Sequence, residues 1–170
     1  MTTNRFPGYL RILGPTMSLV HASEANVIPM PSRDIDRVSG VATRDALLAR
    51  LETIGELAPN APLSFLVVKV AGLALAVQDD QVRLVAGTIR ELTRGVDVVG
   101  RLAEDVFGIA LQGTGVVAAG AVAARLTHHL NRLAELSPSI CISVSAATGT
   151  GLNAGTLAMA AMDTCEPCCG

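Results

Sequence analysis

Residues Val96–Leu102 and Val106–Leu111 are two apolar runs separated only by Ala103-Glu104-Asp105. So short a polar break leaves room for a tight turn and nothing else, so the runs must pair as an antiparallel hairpin. That constraint excludes an all-parallel sheet, because parallel neighbours need a crossover of a dozen or more residues. On either side of it the apolar residues recur at alternating helical and strand spacing. Upstream, Thr43 is placed to cap a helix whose stripe is Ala46, Leu47, Leu51, Ile54 and Leu57. Pro59, Asn60 and Pro62 punctuate the link to a buried strand over Leu63–Ala71, and Asp79 or Asp80 opens a second helix carrying Val82, Val85, Ile89 and Leu92. Downstream come an Ala-rich helix over Val116–Leu136, a strand over Ser139–Ala147, and a last helix from Gly151-Leu152-Asn153 to about Thr164. The order α-β-α-β-β-α-β-α predicts an α/β protein of the α+β, mixed kind: a central mixed β-sheet with an internal hairpin, covered by helices.

The chain has 170 residues, enough for one domain with its own core. We expect that domain over residues 34–166, after a proline-rich tail over 1–33 and before a Cys-rich end over 167–170. Half of the residues are hydrophobic but only 2% are aromatic, so the core must be built from Ala, Val and Leu. A net charge of −2 with no basic stripe argues against nucleic acid as a partner. The mean hydropathy of +0.47 raises the question of a membrane span in the charge-free run Phe107–Ala124. Gln112, Thr114 and four glycines interrupt that run, which reads better as strand, turn and helix start. No span and a cytoplasmic location are expected. Cys165, Cys168 and Cys169 form C-x-x-C-C near the end, but no second pair has finger-like spacing; His128, His129 and Cys141 are partners only in principle, so no metal site is expected. Cys141 itself reads as a small core residue.

Charged residues sit at fixed offsets around the hairpin: Arg94-Gly95-Val96-Asp97, then Arg101, then Ala103-Glu104-Asp105-Val106-Phe107. This resembles the signature of GGDEF domains, the diguanylate cyclases, in which R-x-x-D leads through a strand and an Arg to a Gly-Gly-carboxylate-carboxylate-Phe turn. Asp36-Arg37-Val38-Ser39-Gly40-Val41-Ala42-Thr43-Arg44 is similar to that family's D-x-L-T-G-L-x-N-R opening. Ser143–Ala147 and Ala158–Met162 resemble its S-I-G-V-A strand and A-D-x-A-L/M helix. The resemblance implies the nucleotidyl cyclase-like fold. In such a cyclase two GTP molecules are joined across a dimer, with carboxylates holding two metal ions. Here the position of the first metal-binding Asp is Lys69, Ala71 replaces the Asp two residues on, and Leu73-Ala74 replaces Phe-Lys. In the turn, Ala103 and Glu104 replace the glycines and Val106 replaces one acid, leaving Asp105. Cys165-Glu166 stands where a phosphate-binding Ala-Lys is expected. The degenerate positions Lys69, Ala103, Glu104, Asp105 and Val106 therefore predict no catalytic residues, no cyclase activity and no cofactor, with Mg²⁺ implied only if a divergent cyclase persists.

By the same resemblance Arg94 and Asp97 match the inhibitory R-x-x-D site through which GGDEF domains bind cyclic di-GMP. Arg101, and Arg125 on the next helix, are candidate supporting cations. The plain alternative is that Arg94 caps the preceding helix and pairs with Asp97. Lys69 either pairs with Asp105 in the place of a metal or snorkels out of its strand. The leading expectation is a catalytically inactive regulatory domain with cyclic di-GMP as ligand. The alternatives are a protein-interaction or homodimerisation module using the Ala-rich helix and the N-terminal tail, and a divergent nucleotide cyclase around Glu104 and Asp105.

Overall fold

A computed structural model describes residues 31–72, 78–135, 141–150 and 154–164. Helix α1 (Arg44–Leu57) starts where Thr43 Oγ1 accepts from the Ala46 amide at 3.3 Å. Strand β1 (Leu63–Ala71) is the expected apolar run between Pro62 and Gly72, and helix α2 (Gln78–Glu91) carries Asp79 and Asp80 in its first turn. Strands β2 (Val98–Ala103) and β3 (Val106–Gln112) form the hairpin. Helix α3 (Val116–Glu135), strand β4 (Cys141–Gly149) and helix α4 (Ala154–Asp163) complete the order read from the sequence. The run Phe107–Ala124 divides between β3, a turn and the first half of α3, and no helix among the described residues is long and apolar enough to cross a membrane.

The four strands lie in the order β2-β3-β1-β4, and all three ladders are antiparallel. The mixed character lies in strand direction. β1 and β2, joined through α2, run the same way with β3 between them, and β3 and β4, joined through α3, run the same way with β1 between them. Each crossover skips one strand, which is the split βαβ arrangement, so no two parallel strands in the ladders are neighbours.

Alternation along the strands sends side chains to two cores. Leu66, Val68 and Val70 of β1 with Phe107, Ile109 and Leu111 of β3 meet α2 and α3; Phe65 and Val67 with Ala110 meet α1 and α4. Leu47, Leu51 and Ile54 are buried as expected, but Leu57 is 80% exposed. At 3.6 residues per turn it lies about 80° around the helix from Leu47, outside the stripe.

Gly100 and Gly108 pair across the hairpin and form the notch that receives α1. A Cβ on Gly100 would lie 2.7 Å from Leu47 Cβ, and one on Gly108 would lie 2.7 Å from both Leu47 Cδ2 and Phe65 Cζ. The loop before α1 is stitched to β2 at the same place: the Ala42 amide donates to Val99 O at 3.0 Å and the Arg101 amide to Ala42 O at 2.8 Å. This covers an otherwise open sheet edge.

Two alanine substitutions should therefore move stability in opposite directions in urea denaturation. Gly100→Ala meets the rigid Cβ of Leu47 and should destabilise by ~1–3 kcal/mol. Gly87→Ala, in open space on the exposed side of α2, should stabilise by ~0.5–1 kcal/mol.

Candidate functional site

The two ends of the hairpin carry different chemistry. At the turn end, β1 and β3 place Lys69 directly opposite Val106, and the Val70 amide donates to Asp105 O at 2.8 Å. Ala103 and Glu104 are exposed. Arg101, largely covered, holds the turn: Nε donates to Ala103 O at 3.2 Å, Nη2 to Glu104 O at 2.8 Å and Nη1 to Asp36 Oδ1 at 3.3 Å. The same Asp36 oxygen accepts from the Ser39 amide at 2.8 Å and the Ser39 hydroxyl at 2.6 Å. Partial burial pushes the Asp36 carboxyl up, but the Ser39 bonds and Arg101 together outweigh it and hold the group below its ordinary value of 3.8.

Behind this turn, Leu48, Leu102, Val106, Ala158 and Met162, with Arg44 and Ala103, line a cavity of about 170 Å³. Beyond the carboxylates of Glu104 and Asp105, this end offers a pair of metal ions few oxygens. The cross-strand pair is an ammonium and an isopropyl group, the backbone oxygens of Ala103, Glu104 and Asp105 already accept bonds, and the neighbouring cavity is hydrocarbon. Among the described residues no group of three or more His, Cys, Asp or Glu converges as a metal would require.

At the other end, Arg94 and Asp97 are locked together. The Asp97 carboxylate accepts from the Arg94 amide (2.9 Å) and Nε (3.1 Å) on Oδ2 and from Nη2 (2.9 Å) on Oδ1, while the Asp97 amide donates to Arg94 O at 2.9 Å. The Asp97 side chain is 2% exposed and that of Arg94 58%. This two-pronged bond to Asp97 raises the Arg94 pKa, against a smaller opposing effect of burial, so the guanidinium stays charged. Nη2 also donates to Gln112 O at 3.0 Å and Thr114 Oγ1 at 2.8 Å, tying Arg94 to the end of β3.

Arg94 thus pairs with Asp97, but it does not cap α2. That role falls to Thr93, whose hydroxyl donates to Ile89 O and Arg90 O, and to Arg125, whose Nη2 reaches Leu92 O at 2.7 Å. Arg125 therefore stands two residues of backbone from Arg94. Arg101 does not join them: four residues of extended strand, about 13 Å, separate it from Asp97. The contacts of Thr114 and Gln112 with Arg94 were not expected from the sequence, where both residues read only as polar interruptions at a Gly-rich turn. Leu73, Ala74, Cys165, Glu166, Cys168 and Cys169, with most of the tail, lie outside the described residues, as does the side chain of Cys141.

No family model matches the sequence and no curated protein does. Solved structures do match. The FimX GGDEF domain from Pseudomonas aeruginosa superposes with a TM-score of 0.68 at 19% identity, over 76% of this chain and 90% of that one. The fold is that of a GGDEF domain. The GGDEF domain of DgcB from Caulobacter crescentus, solved in complex with c-di-GMP, gives 0.66 at 15% identity over 80% and 87% of the two chains. The diguanylate cyclase SiaD of P. aeruginosa, solved with its activator SiaC, gives 0.62 at 20% over 76% and 58%. Within this GGDEF fold the two hairpin ends diverge as described.

Asp36 ties the opening loop to Arg101 and the turn, so its charge should be visible in stability. A carboxyl with a lowered folded pKa stabilises above its unfolded pKa and loses that contribution as pH falls through the folded value. The stability difference between wild type and Asp36→Asn should be full at pH 6–7 and close below about pH 4, measured by denaturation at a series of pH values.

Proposed function

We propose that the chain is a catalytically inactive GGDEF-fold signalling domain that receives cyclic di-GMP through Arg94 and Asp97. The observation that carries this reading is the arrangement of that pair: a buried carboxylate holds the Arg94 guanidinium in one plane while more than half of the side chain faces solvent. A guanidinium presented in this way suits a phosphate diester and the face of a guanine at once. Arg125 at the end of α2 supplies a second cation within the same corner. Arg101, engaged at the turn, is left out of the site.

Inactivity rests on the turn end. Lys69 opposite Val106 repels a divalent cation, and neither residue offers it an oxygen. Nucleotide signalling also agrees with a cytoplasmic setting. A second reading, an interaction or homodimerisation module, is favoured by the first turn of α3, where Val116 and Val117 are 71% and 85% exposed.

Calorimetry with cyclic di-GMP separates them. The wild type should bind, and Arg94→Ala, which removes charged hydrogen bonds worth ~1.5–3 kcal/mol, should weaken binding by about tenfold or more. No heat with the wild type would leave the interaction module. Incubation with GTP and Mg²⁺ or Mn²⁺ should yield no product; turnover abolished by Asp105→Ala would establish a divergent cyclase instead.

A further inference from the structure

Arg94 owes its orientation to more than Asp97. Its Nη2 carries two hydrogens and faces three acceptors, Asp97 Oδ1 at 2.9 Å, Gln112 O at 3.0 Å and Thr114 Oγ1 at 2.8 Å. The Thr114 hydroxyl, accepting from Arg94, sends its own proton to Gln112 O at 3.2 Å. Thr114 is itself buried, at 4% exposure, and its backbone is fixed on both sides: the amide donates to Pro62 O at 3.1 Å and the carbonyl accepts from Ser64 Oγ at 2.6 Å. Because the single Ser64 proton goes to Thr114 O, the 2.7 Å contact between Ser64 Oγ and Thr148 Oγ1 has Thr148 as donor. One chain of bonds therefore runs from Thr148 on β4 through Ser64 on β1 and Thr114 after β3 to Arg94 and Asp97. It crosses one end of the sheet, with Ser64 and Thr114 buried, where satisfied polar networks are rigid.

We infer that Thr114 is the positioning residue of the Arg94 site: its hydroxyl, held by Gln112 O on a backbone that Ser64 and Pro62 fix, helps set the guanidinium plane that an anionic nucleotide ligand meets. The inference rests on the reading of Arg94 and Asp97 as a cyclic di-GMP site, and it adds a residue outside the R-x-x-D motif on which affinity depends. Without the hydroxyl, Nη2 keeps Asp97 Oδ1 and Gln112 O but loses the shortest of its three bonds, and the guanidinium plane is held less tightly. Thr114→Ser keeps the oxygen and should keep the plane. Thr114→Val keeps the shape and removes the acceptor.

The test compares the full-length wild type, Thr114→Val, Thr114→Ala and Thr114→Ser, with thermal unfolding checked for each and Thr114→Ala replacing the valine variant if that one does not fold. Two readouts are taken: the dissociation constant for cyclic di-GMP, and by NMR the exchange between the two hydrogens on Arg94 Nη2 in the absence of ligand. The expected result is affinity weakened by about tenfold in Thr114→Val, restored to within about twofold in Thr114→Ser, and Nη2 exchange that is faster in the valine and alanine variants and unchanged in the serine variant. Wild-type affinity in Thr114→Val overturns the inference while leaving the cyclic di-GMP reading intact. If the wild type does not bind, that reading falls, and the exchange measurement decides the positioning role: faster exchange cured by serine supports it, and unchanged exchange overturns it.

Discussion

Burial of β1 on both faces is the constraint from which the rest follows. As the strand between β3 and β4, it supplies Leu66, Val68 and Val70 to one core and Phe65 and Val67 to the other, so a side chain in its middle has no route to water. Only at its far end do the faces open, and there Lys69 appears. Both of its partners are antiparallel to it, and each crossover helix skips a strand to reach its place. The hairpin is laid beside β1 with its turn at the Lys69 end and Gln112 beside Leu63, so the two ends of the hairpin are held far apart by β1 itself.

That separation explains why one stretch of sequence holds two unlike sites. The turn is fastened by Arg101 and by the Val70 amide, and the cavity behind it is mostly apolar. Charge there has been turned inward to hold backbone. The Arg94 end keeps an exposed guanidinium on a buried carboxylate and rests on a polar chain that reaches across three strands. A structural salt bridge could have been built in either place; only at the Arg94 end does it leave the cation facing solvent.

Much of this was legible in the residues. The bounds of β1 follow from an apolar run between Pro62 and Gly72, the hairpin from a turn too short for anything else, and the Arg94–Asp97 pair from their i,i+3 spacing. The strand order was not, because periodicity records which face a residue takes and not which strand it lies beside. Arg101 looked like a companion to Arg94 because they are seven residues apart. Its partner is Asp36, 65 residues away, and a contact of that separation leaves no local pattern. Thr114 was hidden for a related reason, since a threonine among glycines reads as part of a turn and its bond to Arg94 spans 20 residues. Leu57 fell outside the core by the slow drift of a 3.6-residue turn over ten residues.

We propose that nucleotide recognition is kept at the Arg94 end and lost from the turn. An amide and side-chain NMR titration of the full-length protein, with cyclic di-GMP in one series and GTP–Mg²⁺ in another, locates any binding residue by residue. Cyclic di-GMP should shift resonances at residues 92–97, 112–116 and 125, and GTP–Mg²⁺ should leave Lys69 and residues 103–106 unmoved. Shifts centred on Lys69 and the turn in either series, with Arg94 and Asp97 unaffected, would contradict it.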